Sequence, residues 1–463
     1  MSKGRARRRG FYSTVCTKDD ALCCAHGPKL CLKRRNVCSS IYICSAFRNA
    51  SACKRDTDFT SSRLPSQTAE SLVKYARQNR CYCHTCRLLF AHPDGHHEHH
   101  RVTSGLSRSA LTMPTYFLEP LEESSEHAQY FFSVEWLKFM ASTLRNLQID
   151  NVLCVGTPRL FDFLTTCSRD TNEPLSINRF LLDLDARMES FYPASLFARF
   201  NALNGYFFNL AGEDSCNRFM RSCSGRTMIF CDPPFGALME PLVVTLNKLR
   251  RGLGNSHVFF MVTVPYFIGK KLLQAAPDLK MLDYKVTYEK HVRFMSTGHD
   301  GNNSKRRVSV VRPFTDAPAR EIPPPKCLTD QYWFCEVCQR YSDLKNLHCA
   351  QCNSCTTLHG ETYQHCVACN ALKMNRRDST SFPELTVEIE DLARSLAPFA
   401  VQARASTTPP LPADRCMRCG EHAPRACSQG EGLDIFPSVL TAHHLQLVAS
   451  DPIMPTTRRR KCV

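Results

Sequence analysis

The sequence predicts an α/β fold, an open and mostly parallel sheet wound with helices on both faces, with small metal-held modules attached to it. Three observations predict this. Apolar runs of strand length recur through the middle of the chain with helical stretches between them, one of those runs ends in Asp232-Pro233-Pro234-Phe235, and 27 cysteines gather mostly in clusters outside that region. Near-continuous apolar strands alternating with helices are the pattern of a parallel sheet covered on both sides. At 463 residues, with 43% hydrophobic content, the chain can build at least one sizeable core and has room for about three domains.

Residues 128–147 have helical spacing and lead into Asn151-Val152-Leu153-Cys154-Val155, which reads as a buried parallel strand. That strand runs through Gly156-Thr157-Pro158-Arg159 into a helix over residues 160–167. A strand, a tight turn and a helix make a ligand site. The chain has no Gly-x-Gly-x-x-Gly at this turn, which argues against a pyrophosphate cradle and so against a dinucleotide. A second strand over residues 180–184 carries Asp183, with Asp185 just beyond it, roughly 30 residues after the first, as in a doubly wound sheet. An acid there can bind ribose hydroxyls. Asp185 is the better candidate, because Asp183 lies inside the apolar run and reads equally well as a capping acid.

The third strand, Tyr206-Phe207-Phe208-Asn209, presents an amide where the edge of an adenine ring would lie. The fourth, Met228-Ile229-Phe230-Cys231, ends in Asp232-Pro233-Pro234-Phe235. A helix follows over residues 238–249, and strands over 258–264, 281–286 and 307–311 complete a seven-stranded sheet. Ligands of such sheets bind outside the carboxyl ends of the strands, so these strand ends line one crevice.

The tetrapeptide suits an amino group on a flat ring. A carboxylate accepts one of the amine's hydrogens, and the proline-fixed backbone leaves a carbonyl free to accept the other. Phe235 can stack on the base. With both hydrogens held, the nitrogen lone pair turns toward an electrophile, and the rate comes mainly from positioning.

Four segments together resemble the CCHC zinc-finger rRNA N6-adenosine methyltransferases: Val152-Leu153-Cys154-Val155-Gly156-Thr157-Pro158-Arg159-Leu160, Leu182-Asp183-Leu184-Asp185-Ala186-Arg187, Asp232-Pro233-Pro234-Phe235-Gly236 and Met281-Leu282-Asp283-Tyr284-Lys285-Val286. The likeness runs with gaps from about residue 24 to residue 369. It implies a Rossmann-like class I methyltransferase sheet with an antiparallel edge, and transfer of a methyl group to one adenosine of large-subunit ribosomal RNA. S-adenosylmethionine is the implied cofactor; it carries no phosphate and can use a single-glycine turn. By this likeness Asp232, Pro233, Pro234 and Phe235 hold the adenine. The implied cofactor contacts are Cys154, Gly156, Thr157, Pro158, Arg159, Asp183, Asp185 and Asn209. The family tends to carry an acid where Asn209 stands. Two other readings fit the residues: a non-catalytic zinc-finger RNA-binding or ribosome-assembly protein on a degenerate methyltransferase fold, and a methyltransferase acting on DNA adenine or on protein.

Cysteine usage points to metal rather than disulfides, because the chain lacks the apolar core of a secretory signal at its start. The densest cluster is Cys335-x2-Cys338-x9-His348-Cys349-x2-Cys352-x2-Cys355, followed by His365-Cys366-x2-Cys369. Two-residue gaps let both thiolates of a knuckle reach one ion. The doubled His-Cys suggests interleaved sites, one of Cys335, Cys338, His348 and Cys355 and one of Cys349, Cys352, His365 and Cys369. Its spacing is similar to the cysteine-rich domain of palmitoyltransferases, but the Asp-His-His-Cys nucleophile motif is absent. Cys83 and Cys86 followed by His96 and His99 have the ligands of a Cys2His2 finger, with His92, His97 and His100 as rival ligands. A third group resembles the GRF-type zinc finger, and that resemblance puts its ligands on Cys24, His26, Cys44 and Cys53, with Cys23 and Cys31 as rival ligands. About three to four zinc ions are expected.

The expected organisation is a basic tail and GRF-type finger over residues 1–62, a Cys2His2-type finger over 63–105, the methyltransferase over 106–322, the interleaved zinc domain over 327–372 and a divergent tail over 373–463. In that tail Cys416, Cys419, His422 and Cys427 could close another site. Net charge is +16, from 59 basic against 43 acidic residues, a balance that favours a polyanionic partner. Basic runs at residues 3–9 and 458–461 can graze phosphates or serve as nuclear signals. The chain lacks any uninterrupted apolar stretch of roughly 18 residues. The expected partner is ribosomal RNA with no membrane, in the company of RNA helicases or ribosome-assembly factors. The expected state is a monomer in the nucleus and nucleolus, with the cytoplasm as a further location.

Overall fold

The computed structural model describes residues 12–16, 22–34, 40–47, 53–54, 67–92, 95–121, 129–167, 175–254, 256–289, 309–344, 346–351, 353–355, 363–366 and 371–374. The chain falls into two units, one of Gly10–Lys345 and one of Met1–Arg9 with Asn346–Val463. In the second unit the described residues form two hairpins, His348–Cys349 with Ser354–Cys355 and Tyr363–Cys366 with Ala371–Met374.

The first unit is built on an eight-stranded sheet of β1 (Asn151–Val155), β2 (Asn178–Asp183), β3 (Phe197–Asn201), β4 (Tyr206–Phe207), β5 (Gly225–Cys231), β6 (Ser256–Pro265), β7 (Lys280–Met281) and β8 (Val311–Thr315). Their order across the sheet is β4-β3-β2-β1-β5-β6-β8-β7. The five inner strands from β3 to β6 are parallel, and β4, β7 and β8 make antiparallel edges. The chain order reverses between β1 and β5, which is where a doubly wound sheet opens its crevice.

Strand periodicity places the two cores. In β1, Val152 and Cys154 face one core, and Leu153 and Val155 face the other. The first core takes helix α1 (Val134–Asn146) through Trp136, Leu137, Met140 and Leu144, and α2 (Pro158–Cys167) through Phe161 and Leu164. The second takes α3 (Leu210–Ser222) through Cys216 and Phe219, and α4 (Met239–Gly252) through Leu242 and Leu246. Helix α1 starts where the Ser133 hydroxyl accepts from Trp136 N–H at 3.2 Å.

Four sequence expectations about the sheet change: it has eight strands and not seven, and the strand expected at residues 281–286 is only Lys280–Met281. The strand expected at residues 206–209 is a short antiparallel edge, and the parallel strand in third place is β3. The strand expected at residues 307–311 begins at Val311 instead. Pro313 sits inside β8 and breaks the regular ladder with β7, whose continuation is carried by Leu282 N–H to Pro313 C=O at 2.9 Å and Val286 N–H to Val311 C=O at 3.2 Å.

Two cysteine-bearing modules pack on this sheet. The strands Arg80–Cys83, Leu88–Ala91 and Val102–Thr103 form a three-stranded sheet. Its Tyr82 is buried between Phe117 and Phe191, with ring centroids 5.7 Å from each. The second module, with strands Tyr12–Cys16, Leu30–Arg34 and Ser40–Ile43, reaches the β3–β4 edge. Asn201 Nδ2 donates to His26 C=O at 3.1 Å and Ser45 Oγ at 2.8 Å. Asn204 Nδ2 donates to His26 C=O at 2.9 Å, Pro28 C=O at 2.9 Å and Ser45 Oγ at 2.8 Å. Gly27, at φ +87°, lies so close to Tyr206 that a Cβ there would meet the ring at 2.3 Å. The double variant Asn201→Ala/Asn204→Ala removes the side-chain donors to His26, Pro28 and Ser45, at about 0.5–1.5 kcal/mol for each hydrogen bond lost. Its melting temperature should fall, and amides of residues 22–34 and 40–47 should exchange faster; unchanged exchange there would show that other contacts hold the module.

Candidate active site

The turns after β1 and β5 touch. Asp232 N–H donates to Val155 C=O at 3.2 Å, and Gly156 N–H donates to Leu182 C=O at 2.8 Å, so the ends of β1, β2 and β5 are joined. Gly156 takes φ +66°, and a Cβ on it would stand 3.1 Å from the Asp232 carbonyl oxygen. Only glycine fits both conditions without strain. Gly156→Ala should cost about 1–2 kcal/mol of stability through the left-handed backbone and push the two turns apart. A rise in KM for the methyl donor together with a fall in kcat is the expected kinetic signature.

Asp232 follows β5 directly. Its Oδ1 accepts from Thr263 Oγ1 at 2.6 Å and from Tyr288 OH at 3.1 Å. No hydrogen bond reaches Oδ2 among the described residues. Burial pushes the carboxyl up to about 7, while the two hydroxyl donors work against that rise. Pro234 C=O accepts from Ala237 N–H at 2.8 Å, whereas no backbone donor reaches Pro233 C=O among the described residues. Phe235 lies 5.8 Å from the Tyr130 ring and 6.4 Å from the Tyr288 ring. A carboxylate, a carbonyl and an aromatic face therefore stand together at the lip of β5.

The other sequence-predicted residues take varied places. Cys154 is buried within β1, and burial pushes its thiol up to about 12. Thr157 is buried at the turn, and Pro158 opens α2. Arg159 is buried and held internally: it donates to Thr115 C=O at 2.8 Å and to Glu289 Oε2 at 2.7 Å, with its guanidinium 3.9 Å from the Tyr116 ring centroid. Asp183 ends β2, where one oxygen accepts from Asp185 N–H at 2.8 Å. Burial first, then the neighbouring Asp185 charge, push Asp183 up to about 7.

Asp185 is committed to protein partners. Arg187 grips both of its oxygens, with Nη2 to Oδ2 at 2.7 Å, and Gln129 Nε2 donates to Oδ2 at 3.3 Å. Despite burial, the Arg187 charge holds its carboxyl below the usual value. Asn209 caps α3: its Oδ1 accepts from Gly212 N–H at 2.6 Å. Sequence reasoning missed Thr263, Tyr288 and Tyr130. The first was within reach, since β6 runs parallel to β5 with Cys231 opposite Val262.

The cysteine groups gather ligand atoms at metal-binding distances. Four ligands around zinc, with Zn–S of about 2.3 Å, stand about 3.7 Å apart on a tetrahedron. Among Cys24, His26, Cys44 and Cys53, His26 Nδ1 lies 3.9, 3.6 and 3.4 Å from the three sulfurs, and Cys24 and Cys44 are 3.6 Å apart. In the finger near residue 83 the structure corrects the histidines. His97 and His100 join Cys83 and Cys86, not His96 and His99. His100 Nδ1 is 3.6 Å from Cys83 Sγ, 3.3 Å from Cys86 Sγ and 3.4 Å from His97 Nδ1. The reason is packing: His97 is buried with its ring 4.1 Å from Phe90, while His96 and His99 are exposed. Both donor sets fit a zinc ion.

Of the interleaved sites, Cys335 and Cys338 lie on a knuckle of the first unit, where Cys338 N–H donates to Cys335 Sγ at 3.4 Å. His348 and Cys355 face each other across the hairpin of the second unit, with Cys349 beside His348. Cys352, Cys369, the side chain of His365, the tail cysteines and both basic runs lie outside the described residues. Among the described residues, no helix is long and apolar enough to cross a membrane.

A parallel sheet with ligand turns at its switch point, and an Asp-Pro-Pro-Phe lip beside them, defines a methyltransferase of exocyclic amines. Comparison with known proteins narrows the class. Residues 123–297 match the family described as probable N6-adenine methyltransferase. The chain is 33% identical over 377 residues to the human rRNA N(6)-adenosine-methyltransferase ZCCHC4, covering 73% of this chain and 71% of that protein. It is also 33% identical to the Xenopus laevis protein of that name over 369 residues, 71% of this chain and 73% of that one. With the Bos taurus protein it shares 32% identity over 395 residues, 75% of each. The chain belongs to the ZCCHC4 family of N6-adenosine methyltransferases. Methyltransferases of this family imply S-adenosylmethionine as methyl donor.

Proposed function

We propose that this protein transfers a methyl group from S-adenosylmethionine to the N6 amine of an adenosine in large-subunit ribosomal RNA. The observation that carries the reading is Asp232, anchored through Oδ1 beside the Gly156 turn, with Oδ2 reached by no donor among the described residues. S-adenosylmethionine supplies a methyl carbon on a sulfonium, which leaves as a thioether when nitrogen attacks. The protein's part is to hold the acceptor. Asp232 Oδ2 takes one N6 hydrogen, the Pro233 carbonyl takes the other, and Phe235 stacks on the ring. The nitrogen lone pair is thereby directed out of the plane toward the crevice. Once N6 carries the methyl group it would become acidic, and the Asp232 carboxylate would take its proton.

On the cofactor side, Gly156 allows the close approach. Since Asp185 is locked by Arg187, Asp183 is the acid at the β2 end that meets the ribose. Arg159 and Asn209 support the walls rather than touch the cofactor.

The zinc modules would grip flanking RNA, with three to four ions in all, about one per Cys/His set. The +16 net charge supports a polyanionic partner. We place the activity in the nucleus and nucleolus, by a monomer working alongside helicases or ribosome-assembly factors. A tritiated-methyl assay on total RNA, DNA and protein in parallel tests the reading. Label in RNA, recovered as N6-methyladenosine, is the expected result. Label confined to DNA or protein, or no measurable S-adenosylmethionine binding by calorimetry, would overturn it.

A further inference from the structure

We propose that Thr263 and Tyr288 are positioning residues that fix the Asp232 carboxylate by both holding its Oδ1, so that Oδ2 alone is presented to the adenine amine. This rests on the methyl-transfer reading above. The two hydroxyls come from different elements. Thr263 lies on β6, one residue past the Cys231–Val262 pair, and its Oγ1 is 2.6 Å from Oδ1. Tyr288 lies beyond β7 and reaches the same oxygen at 3.1 Å. Its own place is set rigidly. Residues 287–289 are bonded to the 131–133 segment by Ser133 N–H to Thr287 C=O at 2.9 Å and Glu289 N–H to Phe131 C=O at 2.7 Å, and the Tyr288 ring stacks on Phe132 at 5.3 Å.

A lone carboxylate can rotate and offer either oxygen. Two donors converging on one oxygen stop that rotation and fix the plane of the group. The tyrosine that does so also borders Phe235, so the amine acceptor and the stacking ring are set by one strut. Its neighbour Glu289 holds Arg159 of the cofactor turn at 2.7 Å, which joins both sides of the crevice to the same three residues.

The donors have a second effect, since hydrogen bonds to a carboxylate favour its ionised form. The titratable groups facing Asp232 are Tyr288 across the crevice and Cys231 on its own strand, with Tyr130 beside Tyr288. Among the described residues, no cation or second carboxylate acts on it. With the opposing hydroxyls removed, burial acts unbalanced, and protonation persists to higher pH.

The test is the pH dependence of kcat/KM in Tyr288→Phe, Thr263→Val and Thr263→Ser. The acid limb should move to higher pH in Tyr288→Phe and Thr263→Val, by about one unit, so that their deficit against wild type is about tenfold larger at low pH than at high pH. Thr263→Ser keeps a hydroxyl and should keep the wild-type midpoint. S-adenosylmethionine affinity, read by calorimetry, should match wild type in all three and so exclude misfolding as the cause. A loss uniform across pH, or unmoved midpoints, overturns the positioning role while leaving the function intact. A wild-type chain that methylates no adenosine overturns both.

Discussion

Asp232→Ala abolishes methyl transfer and leaves S-adenosylmethionine bound. The substitution removes the acceptor that orients N6, and the loss of one such positioned group is worth about 10²–10⁴ in rate. The backbone of the turn stays in place, because its hydrogen bond to Val155 uses the main chain. The Gly156 cradle, which depends on the Asp232 carbonyl and not on its side chain, also survives. Single-turnover kinetics with labelled cofactor, beside cofactor titration, separate the two effects. Asp232→Asn is the finer probe: it keeps the shape and loses the charge, and turnover near that of wild type would refute the assignment.

Zinc removal is expected to have the largest effect on stability. Structural zinc contributes about 10–16 kcal/mol of apparent folding energy in isolated finger peptides. Here the finger near residue 83 is part of a larger core, since Tyr82 and Leu89 belong to the same core as Trp136 and Phe161. Loss of metal at Cys83 and Cys86 therefore unsettles the face of the sheet that carries α1 and α2. A strong chelator should lower the melting temperature by about 10 °C or more, corresponding to a few kcal/mol for a unit of this size. The histidines give a sharper readout. His97→Ala and His100→Ala should reduce bound zinc, counted by mass spectrometry, and lower stability. His96→Ala and His99→Ala should do neither, and zinc loss in those two would reverse the ligand assignment.

The two histidine pairs show where sequence reading stops. His96 and His99 have the same spacing as His97 and His100, so spacing cannot choose between them. The choice is made by Phe90, which buries His97. The strands β1 and β5 were legible because strands buried on both faces read as unbroken apolar runs, and the turns after them followed. β3 was not, since Arg199 interrupts its run. Its guanidinium lies 4.0 Å from the Phe208 ring centroid and donates to Leu184 C=O at 3.2 Å, contacts that no local pattern displays. The partners of Asp185 were out of sight for a similar reason: Gln129, which bonds it, is far away in sequence. The acceptor lip could be read from four adjacent residues, whereas the hydroxyls that set it come from β6 and from Tyr288, and only folding brings them together.

The hairpin of Tyr332–Cys335 and Arg340–Asp343 bears on how the enzyme can be dissected. Arg340 Nη1 donates to Met281 C=O at 2.9 Å and to Asp283 Oδ1 at 3.2 Å, and Asp343 N–H reaches Asp283 Oδ2 at 3.3 Å. Asp283 is buried. A fragment cut at the proline linker would take the Arg340 guanidinium and the Asp343 amide away from that buried carboxylate, a loss of about 1–3 kcal/mol. Removing the hairpin that carries the first knuckle is therefore expected to lower the stability of the sheet it bonds to.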